Sequence, residues 1–306
     1  MNLYSCIPII TMFIGLMLIE RRERGIIKKW LIGSRPFIAI HYLFPAVLGI
    51  FLGTHLFQKP VPYLDGAFLM CAIFFSFQAS VVTNDVNDLR TDQISEKQSL
   101  LNTSSHIITH ISELGMYFFI VSILFALAIS YQILLIVLLG HILHFIYSSK
   151  PLRLKRFYPL SILMLTLGAL LAAIAGYALF ESSKPFLSFP LKAALLIAVP
   201  LFLGLNFRDL ADYQGDRKTE ITTLFTVFGL QKGRYINAIF ILLSYLSIPI
   251  ILQYPLSFIA TVPLGILSFY FCLKQPFQEK YVFYIYFTLV AILTIAFNIN
   301  PRIIVP

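Results

Sequence analysis

Apolar runs about as long as a bilayer is thick recur along this chain, and few folds are open to a sequence built that way. They lie at residues 3–19, 37–57, 62–82, 114–130, 131–147, 159–180, 189–207, 235–252, 253–273 and 281–298. A spanning helix needs about 20 predominantly apolar residues, and a spanning strand would alternate, which these runs do not. Hydrophobic residues make up 58% of the 306 positions and charged residues 12%, about half the charge of an average soluble domain. That leaves too little polar surface to cover a soluble core. A soluble single-domain enzyme, a disordered chain and a disulfide scaffold are excluded. The expected fold class is all-α: a polytopic integral membrane helical bundle, with nine transmembrane helices plus one extra N-terminal apolar segment. Residues 1–30 read as that segment with its basic flank, and residues 31–306 as the transmembrane domain.

The net charge is +9, which raises nucleic acid as a partner until its distribution is read. If alternate inter-span segments share a side, that side holds 21–36, 83–113, 148–158, 208–234 and 274–280. These segments carry 19 of the 23 Lys and Arg residues; only Lys59, Lys184, Lys192 and Arg302 fall opposite. The split is a strong positive-inside signal. It predicts a multi-pass protein of the plasma membrane with those segments cytoplasmic. No aromatic-interleaved basic stripe remains for nucleic acid. Residues 1–20 lack the positive start and the A-x-A-like end of a signal peptide. They read as a retained span with its N-terminus outside, a surface-lying helix being the alternative. Cys6, Cys71 and Cys272 lie far apart inside apolar runs and read as small buried hydrophobes.

Six of the 14 acidic residues fall in two stretches, NDVNDLRTD (84–92) and RDLADYQGD (208–216). Asp85, Asp88 and Asp92 are spaced three then four, and so are Asp209, Asp212 and Asp216, each 124 residues from its counterpart. On a helix, such positions fall within about 60° of arc, so each trio is expected to project from one face of a helix end. Each ionised pair at ~5 Å and an effective dielectric of ~20 costs about 3 kcal/mol. Free solvation in a loop relieves that repulsion, and so do bound cations. Solvation alone does not explain a duplicated spacing abutting membrane spans, where ionisable groups are costly and usually functional.

The chemistry that fits is diphosphate binding through Mg²⁺. The metal prefers oxygen ligands and is usually held by one or two carboxylates plus substrate phosphates. It neutralises charge on the leaving group. An allylic diphosphate so activated ionises to a carbocation that a nucleophilic acceptor captures, and an isoprenoid tail can lie between the helices.

These stretches resemble the motifs of the UbiA superfamily of intramembrane prenyltransferases. Asn84, Asp85, Asp88 and Asp92 fill every position of its N-D-x-x-D-x-x-x-D pattern. DLADYQGDRKTEITTLFTVFG matches its second pattern through Asp209, Asp212, Gly215, Asp216, Thr223, Leu224 and Gly229. Arg35-Pro36 before the first family span agrees, as does YSSKPLRLKR (147–156), which looks like the family's Y-S-x-P-P-x-R-x-K-R loop. The resemblance runs from about residue 31 to the C-terminus. It implies nine transmembrane helices, Mg²⁺, and prenyl transfer from a polyprenyl diphosphate to a lipophilic, usually aromatic acceptor. By resemblance, Asn84, Asp88, Asp92, Asp209, Asp212 and Asp216 hold metal and diphosphate, while Asp85 either joins them or orients its neighbours. The chain departs from the family's pattern in three places. EKQSLLNTSS keeps Lys97 but has no Arg-Pro, Glu220 replaces a common Gly, and Lys150 replaces a Pro. These departures bear on the subfamily more than on the superfamily.

Lys150, Arg153, Lys155 and Arg156 crowd one loop. They read as a membrane anchor, with Lys150 also a substrate-binding candidate and Arg153 or Lys155 also a diphosphate contact. With Asp88 and Asp212 those two are the candidate catalytic residues. Arg35, Arg217 and Lys218 are further candidates for the substrate's charge, Arg35 the strongest by resemblance, and Tyr147 for the diphosphate or a developing cation. The pairs His106/His110 and His141/His144 read as packed histidines, with His141 or His144 in an acceptor pocket as a weaker idea. GDRKT lacks the upstream glycines of a P-loop, and Tyr213 excludes the D-x-x-D-G signature of CDP-alcohol phosphotransferases. Two readings compete with prenyl transfer: a transporter, since paired repeats with ionisable residues can mark one, and phosphoribosyl transfer to a polyprenyl phosphate within the same superfamily.

Overall fold

The computed structural model describes residues 3–94, 105–181 and 183–304. Among these there are helices and no strands, and nine helices are long and apolar enough to cross a membrane. In hydrocarbon every backbone group must be satisfied internally, which a helix does within its own segment. Helix α1 (Leu3–Arg22) and the short α2 (Ile26–Gly33) come first. They are followed by α3 (Pro36–Phe57), α4 (Tyr63–Ile94), α5 (Ser105–Ile129), α6 (Tyr131–Ser148) and α7 (Leu160–Ala178). A one-turn α8 (Pro185–Ser188) precedes α9 (Leu191–Gly204). The short α10 (Tyr213–Lys218) and α11 (Leu224–Phe228) lead to α12 (Leu230–Leu252), α13 (Phe258–Leu273) and α14 (Glu279–Ile299). Large apolar side chains such as Leu135, Ile259 and Ile266 stand on the outside, as a lipid solvent allows.

The first half pairs α4 with α5 and α3 with α7; the second pairs α12 with α9 and α13. Contacts of α7 with α9 and of α3 with α14 join the halves. Helices α3 and α7 touch backbone to backbone. A Cβ on Gly49 would lie 1.9 Å from the Ala173 carbonyl oxygen, and one on Gly176 2.1 Å from that of Ala46. Small residues at crossings permit the close packing that holds helices together in lipid. Helix α1 docks on α5, where Tyr117 lies against Gly15 and its hydroxyl donates to the Thr11 and Met12 carbonyls.

Helix α2 is pinned by a buried relay. The Trp30 indole N–H donates to Gln78 Oε1 at 2.9 Å, and Gln78 Nε2 donates to the Ser34 carbonyl at 3.0 Å. Gln78 is fully buried, so Gln78→Leu strands two polar groups. We expect it to cost about 1–3 kcal/mol, read as a lower unfolding temperature in detergent, with Trp30 fluorescence reporting the loosened α2.

Of the two acidic clusters expected on helix ends, the second needs correction. The run ending near residue 82 continues as helix to Ile94, so α4 has 32 residues. At 1.5 Å per residue it is about 48 Å long, well beyond a hydrocarbon core of ~30 Å. The first acidic cluster rides on this overhang. The second does not occupy one regular helix end: Asp209 belongs to a 3-10 segment (Leu205–Leu210), Asp212 precedes α10, and Asp216 lies within α10. Hydrogen bonds from Asp212 N to Asp209 O (3.2 Å) and from Asp216 N to Asp212 O (2.9 Å) still wind it as successive turns.

Candidate active site

The overhang of α4 presents Asn84 and Asp88 one turn apart, with Asn84 Nδ2 donating to Asp88 Oδ2 at 2.8 Å. Asp85, the next position round the helix, is buried and turns toward the start of α3. There Arg35 Nη2 meets Asp85 Oδ1 at 2.5 Å. That contact joins the start of α3 to the overhang of α4.

The basic loop after α6 delivers the countercharge. Arg153 Nη2 reaches Asp88 Oδ1 at 2.8 Å and the Asn87 carbonyl at 3.2 Å. The buried Lys155 ammonium contacts the same Asp88 oxygen and, at 2.9 Å, Asn84 Oδ1. Ser148 Oγ also donates to Asn84 Oδ1, at 3.2 Å. Arg35 and Arg153 both hold left-handed backbone, with φ of 48° and 42°. Such conformations are uncommon outside glycine and gather at functional sites.

The two clusters share one end of the bundle, where α10 packs against α4. The basic loop also ties to the segment after the second cluster. The Thr222 N–H and hydroxyl both donate to the Arg156 carbonyl, at 2.9 and 2.6 Å, and Tyr158 N donates to Thr222 Oγ1 at 3.0 Å. Burial, and then the Asp209 carboxylate, hold the Tyr158 phenol above its usual range. Tyr147 lies within electrostatic reach of both Asp88 and Asp209. Other motif letters are architectural: Thr223 caps α11 in a capping box with Thr226, and Gly229 takes a φ of 79°.

A cavity of about 170 Å³ opens at this end. Arg35, Asn84, Tyr147 and Arg208 line its polar mouth, and Ile73, Phe77, Ile136, Leu171 and Ala175 are among its apolar walls. From Asn84 back to Ile73 is eleven residues of α4, about 16 Å of depth. Arg208 went unnoticed in the sequence because it reads as one more basic residue of a positive-inside loop. Its adjacency to the second cluster was the available signal.

Asp209, Asp212 and Asp216 all stand at this end, with Asp216 buried. Lys150, Arg217 and Lys218 are exposed and bond to neither cluster among the described residues. The side chains of Asp92 and His106, and the whole of Lys97, lie outside the described residues. His141 and Ser122 hydrogen-bond at 2.8 Å, and His144 and Ser148 at 3.2 Å, as packed histidines do; His144 also lines the cavity.

Among the described residues, no three His, Cys, Asp or Glu side chains form a metal cage. Mg²⁺ does not require one, since it keeps several waters and takes substrate phosphate oxygens. The donors suit it in kind: Asn84 Oδ1 and the Asp88 carboxylate are hard oxygens, and both already gather round a cation, the Lys155 ammonium.

A model of the UbiA prenyltransferase family matches residues 42–281. A digeranylgeranylglyceryl phosphate synthase of Saccharolobus solfataricus is 25% identical over 217 residues, covering 70% of this chain and 74% of that protein. A UbiA homologue from Archaeoglobus fulgidus, solved bound to GPP and Mg²⁺, superposes with a TM-score of 0.64 at 18% identity, over 86% of this chain and 96% of that one. A digeranylgeranylglyceryl phosphate synthase structure gives 0.56 at 18% identity, over 92% and 98%. At these identities the structural likeness speaks for the fold.

Proposed function

Because the chain belongs to the UbiA prenyltransferase family, we propose that this integral membrane enzyme moves a polyprenyl group from an allylic polyprenyl diphosphate to a lipophilic acceptor. The proposal includes Mg²⁺ as the metal, held by Asn84 and Asp88 with Asp92, Asp209, Asp212 and Asp216 as its other protein ligands. We place this end of the bundle on the cytoplasmic side of the plasma membrane, which the charge asymmetry supports.

The observation that carries the reading is the convergence on Asp88 of Asn84, which lines the apolar cavity, with Arg153 and Lys155. Arg153 offers a fork and Lys155 a point charge. When bound, Mg²⁺ neutralises the departing diphosphate. The apolar walls sheath the prenyl tail and exclude water, which would otherwise capture an allylic cation. Phe77, Tyr42 and Tyr147 line the cavity, and aromatic rings suit such a cation. The Saccharolobus relative's name describes a glyceryl phosphate product, so a glycerol-type acceptor stands beside an aromatic one.

The test is turnover by purified protein in lipid nanodiscs with labelled prenyl diphosphates and candidate acceptors. We expect acceptor-dependent release of diphosphate that stops on chelation of Mg²⁺, and a product whose mass equals acceptor plus prenyl group less one hydrogen. A product carrying a phosphoribosyl group, or solute flux without turnover, overturns the reading.

A further inference from the structure

One charged group at the cavity mouth has no task in the arrangement around Asp88. Arg35 is paired with Asp85, while Arg153 and Lys155 are paired with Asp88. Arg208 lines the same cavity, yet it makes no hydrogen bond or ion pair within 4.0 Å to any described residue. The phenols of Tyr42 and Tyr147 and the carboxylates of Glu279 and Asp209 lie within its electrostatic reach. Tyr42 and Tyr147 line the cavity with it.

A guanidinium in the membrane-spanning part of a protein is expensive unless something satisfies it. Arg208 belongs to the last turn of the span Leu191–Leu210, with buried Asn206 and Phe207 before it and buried Leu210 after it. Arg208 itself is part-buried and lines the cavity. The rest of that cavity's lining is largely apolar. That is the arrangement of a site built to receive an oxyanion: a planar fork pairs with phosphate or carboxylate in two parallel hydrogen bonds, and phenol hydroxyls beside it can donate further ones.

We infer that Arg208, with the Tyr42 and Tyr147 hydroxyls, forms an oxyanion-binding subsite of the cavity, separate from the Asp88 cluster, that takes a phosphate or carboxylate oxygen of a bound substrate. The inference rests on the prenyl-transfer reading and deepens it. The oxyanion comes either from the donor's diphosphate or from an anionic acceptor headgroup. The binding chemistry is the same in both cases, and kinetics separates them.

The experiment uses the full-length protein in nanodiscs with geranyl diphosphate as donor. Two acceptors are compared, a prenylated glyceryl phosphate and its dephosphorylated counterpart. Arg208→Gln is expected to raise the KM of the oxyanion-bearing substrate roughly ten- to a hundredfold with kcat changed far less, and Arg208→Lys to raise it several-fold, since Lys keeps the charge without the fork. A rise confined to geranyl diphosphate assigns the subsite to the donor. A rise confined to the phosphorylated acceptor, with its advantage over the neutral one lost, assigns it to the acceptor. Unchanged KM values for both substrates, or a fall in kcat alone, overturn the inference. Should Arg208→Gln not purify as a monodisperse protein, Arg208→Lys decides: an unchanged KM overturns the subsite and a several-fold rise supports it. Failure of the wild-type protein to transfer a prenyl group to any acceptor removes the prenyl-transfer reading itself. Wild-type turnover with an indifferent Arg208→Gln removes only the subsite.

Discussion

Asp88→Asn is expected to lower kcat/KM for prenyl transfer by about a thousandfold or more. The substitution keeps the shape of the side chain and its hydrogen bond to Asn84, but removes the charge on which Arg153 and Lys155 converge. Breaking a buried ion pair by removing one partner typically costs about 3–5 kcal/mol, because the other charge stays behind. Lys155 is 8% exposed, so Asp88→Asn also lowers the unfolding temperature. A second variant separates the two effects. In Asp88→Asn with Lys155→Met the stranded ammonium is gone, and stability returns toward wild type. Turnover does not return, because an amide and a thioether hold neither metal nor diphosphate. Asp88→Asn with full Mg²⁺-dependent turnover, or a double variant that regains activity, would show that Asp88 is only a structural partner of the basic loop. Diphosphate release and thermal melting, measured on one set of preparations, decide between these outcomes.

How much of this was legible in the chain differs from residue to residue. The spans were, because lipid imposes length and apolarity on every helix that crosses it. The pairing of Asp88 with the 150–156 loop was legible only as a loose expectation, since charge in such a loop also serves topology. Sequence spacing carries no sign of which cation turns inward: Arg153 and Lys155 do, while Lys150 stays exposed two residues past α6. Helix α4 continues to Ile94 because apolarity, not helicity, ends near residue 82; a helix that leaves the membrane stays helical while its groups are solvated. Glu220 is the reverse case. Its φ of 56° is a conformation that glycine adopts at little cost, and glycine is the family's common residue there. Arg208 was hidden because which side chains line a cavity is a property of the assembled bundle. Only the structure distinguishes an arginine that faces a cavity from one that faces headgroups.

The contact that supports the site from farthest away is the crossing of α3 with α7. These helices contribute Tyr42 and Ala175 to the cavity wall, and Arg35 stands at the start of α3. Gly49→Ala and Gly176→Ala are each expected to destabilise the protein by about 3 kcal/mol or more, at or above the upper end of ordinary overpacking. The obstruction in both cases is backbone: a new Cβ meets the Ala173 oxygen at 1.9 Å or the Ala46 oxygen at 2.1 Å. No rotamer change relieves such a clash, so the helices must separate, carrying Tyr42 away from Ala175 and widening the cavity. One separation accommodates both methyl groups, so the double variant should lose less than the sum of the single losses. Gly140→Ala is the control, because a Cβ there meets nothing within 4 Å, although Gly140 lines the same cavity. It should melt like the wild type. Gly49→Ala melting at the wild-type temperature, or strictly additive losses in the double variant, would mean that α3 and α7 are not in backbone contact and that the cavity wall is held in some other way.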